Sequence, residues 1–536
     1  MLTIDKCNAL FYFVLLLGLT VLLYTHPFLR YPYDMIHHLI VIDDIYMQLI
    51  DPAQKFVGIW VNDIYIMIST EKYKSLVLDR PRYLWHYMWA EVFACLNIDS
   101  TQMILRAKII HVIQTVISFA SIYYFSHVVL RNVFKDMPTT QLRWLSLWSV
   151  LIWLSIFATF SGLYHQVWIM WYSVNYQITL PLFWYMLGLT LVLLLEKTSW
   201  KIKLFFALQI LLLTRFMIQV HSMEFLYYLM HISVFSLVFI DKVYLLVKRY
   251  FYIVIPIILA IIYMTKYYQP EKSLVFKYLS IEKLPALYEY IMQAGAFLLS
   301  GYNRASASVN ELMYFILYLG IVFVTYLLLK KYKKREIKIQ FRVLLFIILT
   351  SAFVLIPLDQ FSGGLLSVIT NMPVVNRLYY SSSLFVLIPI FTYYIFQKYK
   401  PRYIHLLIAL SLVSVTIFSK YNNVLNHNYY KNIQSIKYSF DERKIGFNLS
   451  QTQISIIKEE LDTYEKNNMS HKEIRYYARA DIAFVIKYFF HKNVYWKGRS
   501  VNPDHKKIYE ENKNNKDYHQ ILFEIPQGFP RYRPYS

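Results

Sequence analysis

The chain has 536 residues, of which 57% are hydrophobic, 18% aromatic and only 16% charged. Soluble domains carry about 25% charged residues, so this composition excludes an ordinary soluble enzyme. The formal net charge of +22 does not point to nucleic acid, because Lys and Arg gather between apolar runs and in the tail, where membrane topology accounts for much of the charge.

Apolar runs long enough to cross a bilayer predict spans near 8–25, 109–130, 144–162, 174–195, 204–221, 223–240, 250–266, 311–329, 342–357, 378–396 and 403–419. The expected fold is thus an all-α polytopic membrane protein with about eleven transmembrane helices. Residues 8–24 precede no small-x-small cleavage site, since Tyr24-Thr25-His26-Pro27-Phe28 is bulky, so the first span reads as an uncleaved anchor. Cys7 and Cys95 fall on opposite sides of it, which argues against a disulfide between them.

The short loops set the orientation. Arg131, Lys135 and Arg143 separate spans two and three; Lys197, Lys201 and Lys203 follow span four; Lys242, Lys248 and Arg249 follow span six. The densest group, Lys330, Lys331, Lys333, Lys334, Arg335, Lys338 and Arg342, follows span eight, and Lys398, Lys400 and Arg402 follow span ten. All these loops fall on the side of the amino terminus, which the positive-inside rule makes cytoplasmic. The carboxy-terminal tail is then outside.

The long segments lie on the outer side: loop one (26–108), loop two (266–310), loop three (358–377) and the tail (420–536). Loops of this length are usually functional or carry their own structure. In loop one, Ile45 to Ile50 and Phe56 to Ile68 suit helices lying in the interface. The tail holds 20 Lys and Arg against 13 Asp and Glu. Residues 451–466 predict an amphipathic helix with Ile454, Ile457 and Leu461 on one face. Ile474 to Phe490 could give a helix or a strand–helix pair, and Ala483 to Ile486 and Ile521 to Phe523 could be buried strands. The tail is therefore expected to be a small α/β domain outside a membrane domain spanning 1–419.

The conspicuous polar groups gather at outer ends of spans rather than along them, where transport would need them. His37-His38 precede Asp43-Asp44 about 15 residues past the first span. Acidic residues contribute little to orientation, so this adjacent pair is a candidate base, or a ligand set for a divalent cation such as Mg or Mn. Arg80, Arg82, Arg215 and Arg377 are candidates for a phosphate, which the guanidinium fork matches. His86, His221 and Glu224 are candidates for sugar or acceptor contacts, and Arg106 opens span two. His231, alone within span six, reads as a satisfied core histidine. No Walker A motif, dinucleotide loop, Cys-x-x-Cys or Gly-x-Ser-x-Gly is present.

One amino-terminal span, a long outer loop opening on Asp43-Asp44, a multi-span bundle and an outer carboxy-terminal domain together resemble the C-type (GT-C) fold of membrane glycosyltransferases. The likeness is to the bacterial branch with the O-antigen-modifying glucosyltransferases. As residue motifs it rests on Asp43-Asp44 and, more loosely, on Arg80-Pro81-Arg82, Glu224 and Arg377. The resemblance implies that an acidic residue of the first outer loop is the catalytic base or helps to bind a cation. It also implies a polyprenyl-phosphate-linked sugar as donor and inversion at the sugar carbon.

The expected function is sugar transfer from such a donor to a cell-envelope glycan or lipid at the outer face of the bacterial inner membrane. Asp43 or Asp44 would be the base, the partners would be lipids and glycans, and no nucleic acid is expected. A lipid-linked glycan polymerase would use the same cavity. A glycan or lipid flippase would need polar residues along its spans and repeat symmetry, and an inactive accessory protein would leave the acid pair as a loop.

Overall fold

A computed structural model describes residues 33–50, 59–61, 64–66, 84–99, 102–153, 176–245, 248, 285–296, 339–353, 356, 359–369, 375, 378–397, 444–445, 449–467, 474–478, 482–483, 485–486, 490, 492, 494–495, 510, 513–514 and 519–523. Most of these residues are helical. Spans one, seven, eight and eleven lie outside them.

The first element is α1 (Tyr33–Ile50), followed by the short strands β1 (Ile59–Val61) and β2 (Ile64–Ile66) and by α2 (Leu84–Cys95). The strands pair antiparallel with Val61 opposite Ile64. This corrects the expectation of an interfacial helix over Phe56 to Ile68. Ile59-Trp60-Val61 and Ile64-Tyr65-Ile66 are β-branched and aromatic, which favours strands.

The bundle is built from α3 (Met103–Val133), α4 (Thr139–Ile152), α5 (Tyr176–Leu195), α6 (Trp200–Val220), α7 (Ser222–Val238), α8 (Ile339–Ser351) and α10 (Leu384–Gln397). These correspond to spans two to six, nine and ten. Among the described residues, three helices are long and apolar enough to cross a membrane, over Leu105–Val133, Ile178–Leu195 and Trp200–Val220. At 1.5 Å per residue α3 extends for about 46 Å, beyond the roughly 30 Å hydrocarbon layer.

The apolar runs explain the packing. Helix α5 is hydrophobic all round, and such a helix belongs inside a bundle. Its Phe183, Trp184, Met186, Leu187 and Leu189 are fully buried. Trp184 packs against Phe125 of α3 at 4.8 Å and against Phe385 of α10 at 4.9 Å between ring centroids. Gly188 admits α3 closely: a Cβ there would come within 3.0 Å of the Tyr124 ring. Helix α6 instead leaves Trp200, Leu204, Phe205, Leu208, Leu211 and Leu212 exposed, an apolar face suited to lipid.

The helix ends sort into two sets. At one end Arg131 of α3 pairs with Glu196 beyond α5, and Phe134 meets Tyr393 of α10 edge-on with ring centroids 4.8 Å apart. Arg342 of α8 meets Asp241, beyond α7, at 2.5 Å. At the other end one continuous apolar cluster joins α1, α2, Ala107 and Ile110 of α3, Ile178 of α5 and Val220 of α6. The core of the tail belongs to that same cluster, through Ile454, Ile457, Leu461, Tyr476, Ile482, Val485 and Ile521 among others.

Two further segments cross tightly. Residues 285–296 are helical and run against α9 (Gln360–Ile369). A Cβ on Gly295 would fall 1.8 Å from the Gln360 carbonyl oxygen, and one on Gly364 would fall 1.9 Å from that of Ile291. Only glycine permits so close a backbone approach. The Gln360 side chain donates to the Met292 carbonyl at 2.9 Å. A short 3-10 turn, Leu378–Ser381, leads into α10.

The tail begins with a small ladder, β3 (Lys444–Ile445) against β4 (Leu449–Ser450), and then α11 (Gln451–Asn467). Ile454, Ile457 and Leu461 of α11 are buried as expected. Strands β5 (Ile474–Tyr477), β6 (Val494–Tyr495) and β7 (His519–Leu522) form a parallel sheet in the order β6-β5-β7. Residues 482, 483, 485 and 486 are buried but helical, which corrects the strand expected over Ala483 to Ile486. A parallel pair needs a crossover, usually a helix, and that helix supplies the link from β5 to β6.

Candidate functional site

Helix α1 carries His38 and Asp43 into the cluster that joins the bundle head to the tail, α2 brings His86, and α3 brings Arg106. Asp43 is 2% exposed and Arg106 1%, so each needs its charge compensated. The Arg106 Nη1 donates to Asp43 Oδ1 at 2.5 Å. The same guanidinium donates through Nε and Nη2 to the Ile98 carbonyl at 3.2 and 2.7 Å. Its Cζ lies 4.0 Å from the centre of the Tyr46 ring and 5.2 Å from that of Phe93, within cation–π range. Charge, planar faces and donors are all used in locking α1, α2 and α3 together.

One turn earlier on α1, His38 Nδ1 lies 2.6 Å from His86 Nε2 in a hydrogen bond. The two rings are stacked with centroids 4.8 Å apart. Trp85 meets both edge-on and donates its indole N–H to Gln114 Oε1 of α3 at 2.8 Å. The Tyr87 hydroxyl is held above the usual phenol range, first by its hydrogen bond to Glu91, then by burial and by the Glu91 charge.

A second polar pair stands at the turn between α6 and α7. His221 has extended backbone angles and caps both helices, and its N–H bonds the Met217 carbonyl at 2.9 Å. Its Nδ1 lies 2.5 Å from Glu224 Oε2. The Glu224 side chain is 5% exposed and that of His221 22%. Val220, just before the pair, packs in the cluster with α1 and α2.

The expected site residues are thus only partly assembled. Asp43 and His86 are carried by the packed pair α1 and α2, and His221 with Glu224 follows the end of α6, which touches α2. Arg215 sits on the exposed face of α6 with Leu208, Leu211 and Ile218, where an interfacial anchor would lie. Arg80, Arg82, Arg377 and the side chain of Asp44 lie outside the described residues. His231 is fully buried. Its Nδ1 bonds the Tyr227 carbonyl at 2.8 Å, and Phe183, Trp184 and Phe353 surround the ring, as a core histidine would be held.

Arg106 is the residue of this cluster whose part the sequence leaves least visible. Its position at the opening of a span is visible in the sequence, but its partner, 63 residues away, is not. Among the described residues no group of three or more His, Cys, Asp or Glu could hold a metal ion. A divalent cation at Asp43 Oδ1 would stand beside a fixed guanidinium charge, which opposes it. The described residues therefore form no cation cradle at Asp43.

No protein-family model, curated protein or solved structure matches this chain.

Proposed function

We propose that this chain is a multi-pass membrane glycosyltransferase of the bacterial inner membrane. It transfers a sugar from a polyprenyl-phosphate donor to a hydroxyl of a cell-envelope glycan or lipid at the outer face. The observation that carries this reading is the seating of the acid-bearing helix α1. It packs on α2 and the head of α3, away from the end where Arg131 meets Glu196 and Arg342 meets Asp241. Buried charge and imidazoles at one end of an apolar bundle suit chemistry at a membrane surface.

In this reading the two acids have different tasks. Asp43 already accepts from Arg106 and fixes α1, so Asp44 takes the acceptor proton. The acceptor oxygen bonds to the anomeric carbon as the bond to the phosphate oxygen breaks, and the electron pair leaves with the phosphate. Attack from the opposite face inverts that carbon. The flippase alternative requires a polar path. Among the described residues, the hydroxyls of Ser118, Ser146, Ser149, Thr190, Thr350 and Ser351 donate to carbonyls of their own helices.

The test follows label moving from a radiolabelled lipid-phosphate sugar to membrane glycan. Loss of a general base typically costs about 10²–10⁴-fold, so Asp44→Asn should lose that much turnover while retaining its melting temperature and donor binding. Near-normal transfer by Asp44→Asn would overturn the assignment. Absence of any transfer by the unaltered protein across lipid-phosphate donors would overturn the function.

A further inference from the structure

We propose that the start of α6 binds the headgroup of an anionic phospholipid, with an acyl chain lying along the apolar row that follows. Such binding needs only a bilayer around the bundle and does not depend on sugar transfer.

Helix α6 is one of the three helices long and apolar enough to cross a membrane, and it is the least enclosed of them. Trp200 is 69% exposed, and Lys201 and Lys203 beside it are exposed as well. Leu204, Leu208, Leu211 and Leu212 follow Lys201 at spacings that keep them on one face of a helix. All four are exposed, and Phe205 flanks them. At 1.5 Å per residue the row from Lys201 to Leu212 covers about 16 Å, half of the roughly 30 Å hydrocarbon layer. Arg215 comes next on that face and ends the apolar stretch, whose length is that of one leaflet.

The charges at this end of the bundle fall into two groups. Arg131 is paired with Glu196 and Arg342 with Asp241, and Lys242 lies over the Phe239 ring. Lys197, Lys201 and Lys203 are exposed and carry no ion pair among the described residues. An ammonium group is a compact charge that suits a phosphate oxygen, and basic residues at a membrane surface favour anionic lipid. Trp200 adds a ring of the kind that sits at headgroup level. The apolar row itself fits a chain of lipid better than a second helix. Helix contacts in membranes use small residues, as where Gly188 of α5 admits the Tyr124 ring of α3. Leu204, Phe205, Leu208, Leu211 and Leu212 include none.

The experiment compares the full-length protein in nanodiscs with its Trp200→Phe variant, so that the difference isolates Trp200 fluorescence. Phosphatidylglycerol brominated on its acyl chains near the headgroup should quench that signal more strongly than the same fraction of brominated phosphatidylcholine. One lysine near an anionic surface corresponds to about a fivefold preference, so a folded Lys201→Gln/Lys203→Gln variant should lose at least that factor. Lys135→Gln, which removes an exposed lysine elsewhere at the same end, should leave the preference intact. Equal quenching by the two lipids in the unaltered protein would overturn the proposal, and so would an undiminished preference in the double lysine variant. An equal loss in Lys135→Gln would do the same, by showing a general surface potential in place of a site. Absence of quenching by either lipid would also overturn it, because another segment of the chain or a second copy would then cover this face.

Discussion

Arg106 and Asp43 show how much one contact can determine. Removing one member of a buried ion pair costs about 3–5 kcal/mol, because the other charge is left uncompensated, whereas replacing both with apolar groups is often neutral. Arg106→Met should therefore destabilise the protein by about that amount, and Asp43→Leu by a similar amount. The Asp43→Leu/Arg106→Met double variant should recover most of the loss. Urea unfolding in detergent, followed by tryptophan fluorescence, measures this coupling, and full additivity of the two single losses would show that the pair does not hold the helices. If the double variant folds and retains the proposed sugar transfer, Asp43 serves to position α1 and is not the base. Such a pair was half legible in the sequence. Two adjacent acids stood out, because orientation does not require them, and so did an Arg at the start of a span. Their meeting depends on how α1 turns back onto α3, which no local pattern encodes.

At the scale of elements, periodicity was informative where one face is buried and the other solvated. Helix α11 has Ile454, Ile457 and Leu461 inward, as the spacing predicts. The run Ala483 to Ile486 misled because a short fully apolar stretch reads equally as a buried strand or a buried helix. The segment Phe56 to Ile68 is apolar enough to suggest an interfacial helix, but its β-branched and aromatic triplets Ile59–Val61 and Ile64–Ile66 pair as strands. Within the tail, Tyr476 of β5 couples the sheet to α11. Its hydroxyl donates to Glu465 Oε1 at 3.2 Å, and Lys492 pairs with the same carboxylate. Burial first, then the Glu465 charge and hydrogen bond, push its ionisation above the usual phenol range. The unfolded chain therefore releases this proton at lower pH than the folded one. The associated stability is complete below about pH 10, the ordinary phenol value, and is lost as pH rises through the folded value. An Ile457→Cys probe in the full chain, with Cys7 and Cys95 replaced by Ser, reports tail opening through thiol labelling. Labelling should accelerate from pH 9 to pH 11, and Tyr476→Phe should reduce that acceleration. An identical pH response in both would assign the effect to other groups.

For the whole molecule the decisive quantity is the side on which each end of the bundle lies. Basic residues of the connecting segments accompany the end where Arg131 meets Glu196 and Arg342 meets Asp241. The tail's core is continuous with α1, α2 and the opposite heads of α3, α5 and α6. Lys and Arg in short loops are retained in the cytoplasm, whereas long segments translocate largely regardless of charge. The net positive tail therefore does not contradict an outer location. A reporter active only outside the cytoplasm should be active when fused after Ser536 and silent when fused at Lys334, while a cytoplasmic reporter should show the reverse. An intermediate fusion at Lys197 tests the connection between α5 and α6 and should behave like Lys334. Activity of the outer reporter at Lys334 and Lys197, with silence at Ser536, would turn the molecule over. Asp43, Asp44 and His221 would then face the cytoplasm, where nucleotide-sugar donors are available, and a lipid-phosphate donor would no longer be required by the chemistry.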